Sequence, residues 1–145
     1  MMDQGTKLWA IRALPLWQSR PLLPPLLRLT RVENQGAAFS LLPGAYWLFV
    51  AMAVGMVAAA WAFRRVLFSA AAQPAGWGVA FVLGGTAGNL LDRLRWGYVV
   101  DFLELPHWPV FNIADASIVA GMGLVLWGLM RWDGRPAAGG GKDKP

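Results

Sequence analysis

Three long apolar stretches alternate with polar connections along the chain, and a charged residue closes each of them. Ala45 to Phe63 (AYWLFVAMAVGMVAAAWAF) carries no charge and ends at Arg64 and Arg65. Ala75 to Leu91 (AGWGVAFVLGGTAGNLL) runs into Asp92 and Arg93, and Ile113 to Met130 (IADASIVAGMGLVLWGLM) into Arg131. Crossing a bilayer takes about 20 helical residues, roughly 17–25, so the pattern predicts spans at 45–63, 75–91 and 113–130. Each is apolar all round rather than striped, as expected of a lipid-facing helix. Tyr46, Trp47, Trp61, Trp77 and Trp132 lie near the span ends, where amphipathic rings prefer the headgroup level. Residues 1–44 are different. Arg12, Arg20 and Arg28, with Pro15, Pro21, Pro24 and Pro25, interrupt every apolar run there. Apolar and polar residues alternate in Leu-Arg-Leu-Thr-Arg-Val, which predicts short strands within Leu26 to Phe39 at the membrane surface. The tail RWDGRPAAGGGKDKP, from Arg131, is Gly/Pro-rich and reads as flexible.

Composition narrows the class. Of 145 residues, 57% are apolar and 14% charged, with a mean hydropathy of +0.44. Soluble domains average roughly 25% charged residues, and a chain this short cannot bury so much apolar side chain without lipid or a partner. The same numbers exclude a disordered chain. Without cysteine there is no disulfide framework or thiolate nucleophile, and a lone histidine, His107, does not make a His-based metal centre. The net charge of +5 is scattered rather than clustered, which argues for lipid headgroups over nucleic acid. Basic residues split six to one side (Arg64, Arg65, Arg131, Arg135, Lys142, Lys144) and seven to the other (Lys7, Arg12, Arg20, Arg28, Arg31, Arg93, Arg95). That balance sets no orientation. The length suits one membrane domain.

Polar groups attached to such helices are costly, about 2.5–3.5 kcal/mol for an Asp at a helix centre, so they carry the information. The second span ends in Asn89, Asp92 and Arg93; the loop 94–110 holds Asp101; the third span opens with Asn112 and Asp115; Asn34 precedes the first. Topology gathers all of these at one membrane face. Several have plain structural readings. Asn112 suits a helix N-cap and Asp115 a first-turn acid, Asp92 beside Arg93 suits a structural ion pair, and Gly84 with Gly88 suits close helix packing. GGTAG lies inside an apolar helix and is no dinucleotide loop. His107 reads as a loop residue, and Ser40 and Ser117 lack an activating partner. Asp101, an acid between Val100 and Phe102 in the apolar run YVVDFLEL at the face that holds Asp115, resists such a reading. Two carboxyl groups in a low-dielectric site share a proton and supply both a general base and a general acid. That is aspartic peptidase chemistry, and it needs neither metal nor cofactor.

Four ordered motifs, N-Q-G-A-A-F-S at 34–40, G-G-T-A-G-N-L-L-D-R at 84–93, V-V-D-F at 99–102 and F-N-I-A-D at 111–115, resemble the lipoprotein signal peptidase (signal peptidase II) family. The resemblance runs from about residue 3 to the end of the third span. It implies a membrane aspartic endopeptidase that removes signal peptides from diacylglyceryl-modified prolipoproteins, cleaving before the lipidated cysteine. Its catalytic pair would be Asp101 and Asp115. Asn34, Asn89 and Asn112 would support them, Arg93 would contact substrate, and Asp92 would be structural. The implied architecture is an all-α polytopic membrane protein, a transmembrane helix bundle with a small β-cradle on the outer face. About 16–39 and the 94–110 loop would build the cradle. The expected partners are the diacylglyceryl-prolipoprotein and membrane lipid, without nucleic acid, metal or cofactor, in a monomer. The expected place is the bacterial cytoplasmic (inner) membrane, multi-pass, with the site at the outer face.

The resemblance also implies four spans, the first ending in D-Q-x-x-K; here that motif is Asp3-Gln4-Gly5-Thr6-Lys7, with Asp3 structural. Residues 1–7 would be the stub of that helix, and 8–44 an outer-face segment. A start codon assigned too late would account for the shortened helix and the balanced charge, and predicts an apolar segment in frame upstream of Met1. Gln35, where the family usually has Thr, is a minor departure. Two rival readings are an inactive truncated relative that binds lipoprotein precursors and a small membrane transport subunit.

Overall fold

The computed structural model describes residues 2–35, 46–67 and 73–132. In chain order these form α1 (Met2–Ala13), β1 (Ser19–Leu23), β2 (Leu27–Asn34), α2 (Tyr46–Ala62), a single turn α3 (Arg64–Leu67), α4 (Gln73–Trp96), β3 (Val99–Glu104) and α5 (Ile113–Arg131). The expected strand residues from 36 to Phe39, together with Ser40 and the tail from 133, lie outside the described residues.

Helices occupy all three apolar stretches. One of them, α5, is long and apolar enough by length and composition to cross a membrane among the described residues. The described part of α2 is shorter, and α4 is longer but carries Asn89, Asp92, Arg93 and Arg95 on its last two turns. Large apolar side chains face outward along all three, among them Val54, Val57, Trp61, Trp77, Phe81, Val119, Met122 and Leu126.

Packing of α4 on α5 explains why a hydrophobic stripe is missing from the sequence. The buried positions of α4 are Ala75, Gly76, Gly78, Val82, Gly85, Asn89 and Asp92. Apart from Gly76 they recur at alternating spacings of three and four, which places them on one helix face. The face is distinguished by small size, not by hydrophobicity. A Cβ added to Gly78 would lie 2.4 Å from the Gly121 carbonyl oxygen, and one added to Gly85 would lie 2.4 Å from that of Ala114. Gly84, expected to pack closely with Gly88, turns away from this seam: a Cβ there would meet nothing within 4 Å among the described residues. Gly85, one position on, takes its place. Gly88 is in close contact as expected, its absent Cβ making room for Asp3 at 2.6 Å.

At the end of the bundle where α4 finishes and α5 begins sits a three-stranded antiparallel sheet in the order β1-β2-β3. Its strands fall in the two segments expected to build the cradle, β1 and β2 within about 16–39 and β3 within 94–110, although β1 lies before the alternating Leu26–Phe39 stretch. The apolar run YVVDFLEL pairs with β2, Val32 opposite Asp101 and Asn34 opposite Val99. Also, α1 continues six residues beyond Lys7, so the segment after the motif begins as helix. Ala10 and Leu14 at the end of α1 pack on Val100 and Phe102 of β3 to form a small core, with Trp9 edge-on to Phe102 at 6.3 Å.

Candidate active site

Asp101 and Asp115 reach the site from different elements for separate local reasons. Asp101 sits in β3, whose neighbours Val100 and Phe102 point into the core with α1, so its own side chain takes the opposite face. It is 2% exposed. Val32 pairs with Asp101, and Asn34, two residues further along β2, shares that face. The Asn34 Nδ2 donates to Asp101 Oδ2 at 2.9 Å.

Asp115 is placed by the start of α5. Asn112 is the N-cap: its Oδ1 accepts from the Asp115 N–H at 3.0 Å, while Asp115 Oδ2 accepts from the Asn112 N–H at 3.1 Å. This reciprocal box satisfies two backbone donors and fixes both side chains. The capping expectation for Asn112 and Asp115 therefore holds, and it is what aims both groups into the site. Asn112 Nδ2 donates to Asp101 Oδ1 at 2.7 Å, and Asn89 Nδ2 donates to Asp115 Oδ1 at 2.7 Å. Each of the four carboxyl oxygens thus accepts one N–H. Asn112 also bridges to Asn89 Oδ1 at 3.1 Å, joining the two halves.

The two acids differ in burial. Burial pushes Asp101 from the usual carboxylate range up to about 6, against the opposing effects of the Asn34 and Asn112 amides; Asp115 raises it further and Lys7 lowers it. Asp115 is half-buried and so reachable from outside.

Beneath this layer lies an ion cluster. Lys7 and Asp92 are both fully buried, 2.7 Å apart, and Lys7 also meets Asp3 Oδ2 at 3.0 Å. The expected Asp92–Arg93 pair is corrected accordingly. Successive helix residues diverge, so Asp92 faces α1 and β3, accepting from Gln4 Nε2 at 2.7 Å and from the Val100 N–H at 3.3 Å. Arg93 turns the other way, donating to the Asn89 carbonyl at 3.4 Å within the electrostatic reach of Asp101, Asp115 and Asp92. Asp3 Oδ1 accepts from the Ala114 N–H at 3.0 Å, satisfying a third donor at the start of α5. Gln4 and Lys7 stand in the Asp3-Gln4-Gly5-Thr6-Lys7 motif, which by itself gives neither a role in the site. The signal available was the Asp3–Lys7 spacing, which puts both on one face of a helix.

Among the described residues, no group of three or more His, Cys, Asp or Glu side chains forms a metal cage. The arrangement is suited to proton transfer instead: two carboxyl groups, one buried and one accessible, are held by amides with a guanidinium beside them. His107 lies in an exposed turn with φ of 60°, and Ser117 donates to the Ile113 carbonyl as an ordinary helix hydroxyl.

Known proteins resemble this chain over most of its length. The family profile described as signal peptidase (SPase) II matches residues 1–131. A lipoprotein signal peptidase from Halothermothrix orenii is 37% identical over 131 residues, covering 87% of this chain and 86% of that one. One from Pelotomaculum thermopropionicum is 41% identical over 130 residues, covering 90% and 85%. A solved structure described as a bacterial membrane enzyme, obtained by the in meso method at 1.9 Å, superposes with a TM-score of 0.79 at 28% identity; it covers 90% of this chain and 86% of its own.

Proposed function

The chain belongs to the signal peptidase II family, and from that premise we propose that it removes signal peptides from prolipoproteins by direct aspartic catalysis. The substrate is the diacylglyceryl-modified precursor, and the bond cut is the one before its lipidated cysteine. The observation that carries the chemistry is the network in which four amide N–H groups hold Asp101 and Asp115 from three elements.

In this reading Asp115 is the ionised member and Asp101 carries the proton. Support for that division comes from burial of Asp101 and from the position of Asp115 in the first turn of α5, where the helix dipole favours a negative charge. Asp115 takes a proton from water as its oxygen bonds to the scissile carbonyl carbon. Asp101 gives its proton to the carbonyl oxygen, which avoids a free oxyanion. Asp115 then passes its proton to the amide nitrogen as the C–N bond breaks, and a hydroxyl of the diol returns one to Asp101. Both acids finish as they began, without a covalent intermediate. Asn34, Asn89 and Asn112 hold the carboxyl groups in reacting geometry, and Arg93 holds a substrate carbonyl or phosphate.

The bundle is read as multi-pass in the bacterial inner membrane, with the acids at its outer face. An apolar cavity of about 700 Å³, lined by Met56, Phe63, Val82, Ile118, Met122 and Leu126, begins one turn below Asp115 between α2, α4 and α5. Acyl chains or the apolar part of the signal peptide would fit this space. A transport path would require acids stepping across the bilayer, whereas these cluster at one end.

The test uses a diacylglyceryl prolipoprotein and its unlipidated form, with the products weighed by mass spectrometry. The expected product begins at the lipidated cysteine and arises only from the lipidated precursor. Binding without cleavage would favour the inactive-relative reading.

A further inference from the structure

Next to the two catalytic candidates, the side chain of Lys7 is fully enclosed, as is that of its partner Asp92. Its ammonium group has three partners: Asp92 Oδ2 at 2.7 Å, Asn89 Oδ1 at 2.8 Å and Asp3 Oδ2 at 3.0 Å. A buried ammonium is costly unless paired and hydrogen-bonded, and the two carboxylates supply the pairing. The third contact goes to a neutral amide whose far end donates to Asp115.

That third contact has a directional consequence. An asparagine amide can present either its oxygen or its NH₂ to a neighbour. An ammonium ion only donates, so it pairs with the oxygen alone, and the Asn89 NH₂ must then turn to Asp115 Oδ1. The same oxygen accepts from Asn112 Nδ2, whose own Oδ1 is held by the Asp115 N–H at the helix cap. One cation therefore sets the polarity of the amide that reaches Asp115.

We propose that Lys7 is a positioning residue for the reaction, holding the Asn89 amide with its N–H group aimed at Asp115. The inference rests on the reading of those two acids as the catalytic pair. Charged groups face this network from every side: Asp3 on α1, Asp92 and Arg93 on α4, Asp101 on β3 and Asp115 on α5. Without the Lys7 charge, the carboxylates of Asp3 and Asp92 stand unopposed, and Asp101 holds its proton to higher pH.

Two variants of the full chain separate positioning from charge balance. Lys7→Met removes the cation. Lys7→Met with Asp92→Asn also removes one carboxylate, so the cluster of residues 3, 7 and 92 keeps its original net charge. Cleavage of the diacylglyceryl prolipoprotein is followed against pH, with a thermal melt of each protein. Lys7→Met should lower kcat by about 100-fold, the scale of a small misplacement of reacting groups, with KM little changed and the pH profile of kcat/KM moved upward. The double variant should recover the melting temperature but not kcat. Recovery of kcat together with stability would overturn the proposal and leave Lys7 a charge-balancing residue. If neither Met variant folds, Asn89→Asp decides, because it keeps an oxygen for Lys7 but offers no N–H to Asp115. A melt like the parent's with kcat lost supports the relay, and an unchanged kcat overturns it. Asp101→Asn and Asp115→Asn run alongside. Full activity in either sinks the underlying reading, whereas inactivity in both with an active double variant sinks only the role of Lys7.

Discussion

Burial resists the ionisation of Asp101, and this has a consequence for stability. Its midpoint of about 6 lies above the ordinary carboxylate value of 3.8, so the folded state binds more protons than the unfolded chain between those two values. Its contribution to stability is complete below about pH 4 and lost as pH rises through about 6, a change on the order of 2–3 kcal/mol. Thermal melts across pH 4 to 7 should show the parent protein falling relative to Asp101→Asn, which has no proton to lose; parallel curves would contradict the raised midpoint. Most of these residues were legible in the sequence because polar groups stand out against apolar spans. Asn89, Asn112 and Asp115 announce themselves in this way. Lys7 does not, since its importance depends on Asp92 and Asn89, both distant in the chain, and no local pattern shows that they converge. The neighbouring pair Asp92–Arg93 misleads for the same reason: adjacency in sequence is divergence on a helix.

At the level of the elements, α4 and α5 owe their contact to small residues placed with a one-residue precision. Gly85→Ala would push a methyl against the Ala114 carbonyl, which lies in the first turn of α5 beside Asp115. A backbone displacement there should cost about 1–3 kcal/mol as overpacking and lower cleavage as well. Gly84→Ala, on the open side, should leave the melting temperature and activity within error of the parent protein. Equal effects at the two positions would refute the observed seam. Gly88→Ala should resemble Gly85→Ala, because it displaces Asp3 from the Ala114 N–H and from Lys7. The helices themselves were readable from hydrophobic run length. Their facing sides were not, because hydropathy does not separate glycine at 84 from glycine at 85. The sheet was half readable. Alternation marks β2, whereas β3 is buried along its first four residues and shows no alternation at all, and β1 depends on pairing with β2 more than on its own residues.

Across the whole molecule, polarity is distributed unevenly between the two ends. The carboxylates, their amides and the sheet occupy the end where α5 begins. Arg131, at the other end of a helix about 28 Å long, lies over the Trp127 ring at 4.8 Å, and Arg64 lies over Trp61 at 4.4 Å. Arg–Trp pairs of this kind suit a headgroup layer, which would place the reacting groups at the opposite surface. Counting basic residues gave no orientation, because that count ignores position in depth. The ion cluster of Asp3, Lys7 and Asp92 ties α1 to α4, and Asp3 reaches on to the start of α5. The site thus draws its shape from the first helix and from the start of the last.

In the proposed reaction Asp101 and Asp115 act together on the scissile bond. That pairing is tested by single-turnover cleavage of a diacylglyceryl prolipoprotein by the parent chain, Asp101→Asn and Asp115→Asn, each shown by melting to be folded. Asparagine keeps the size and an acceptor oxygen but carries no transferable proton, so each substitution should slow cleavage by about 10³-fold or more. If either folded variant cleaves at a rate near that of the parent chain, the two acids are not the catalytic pair.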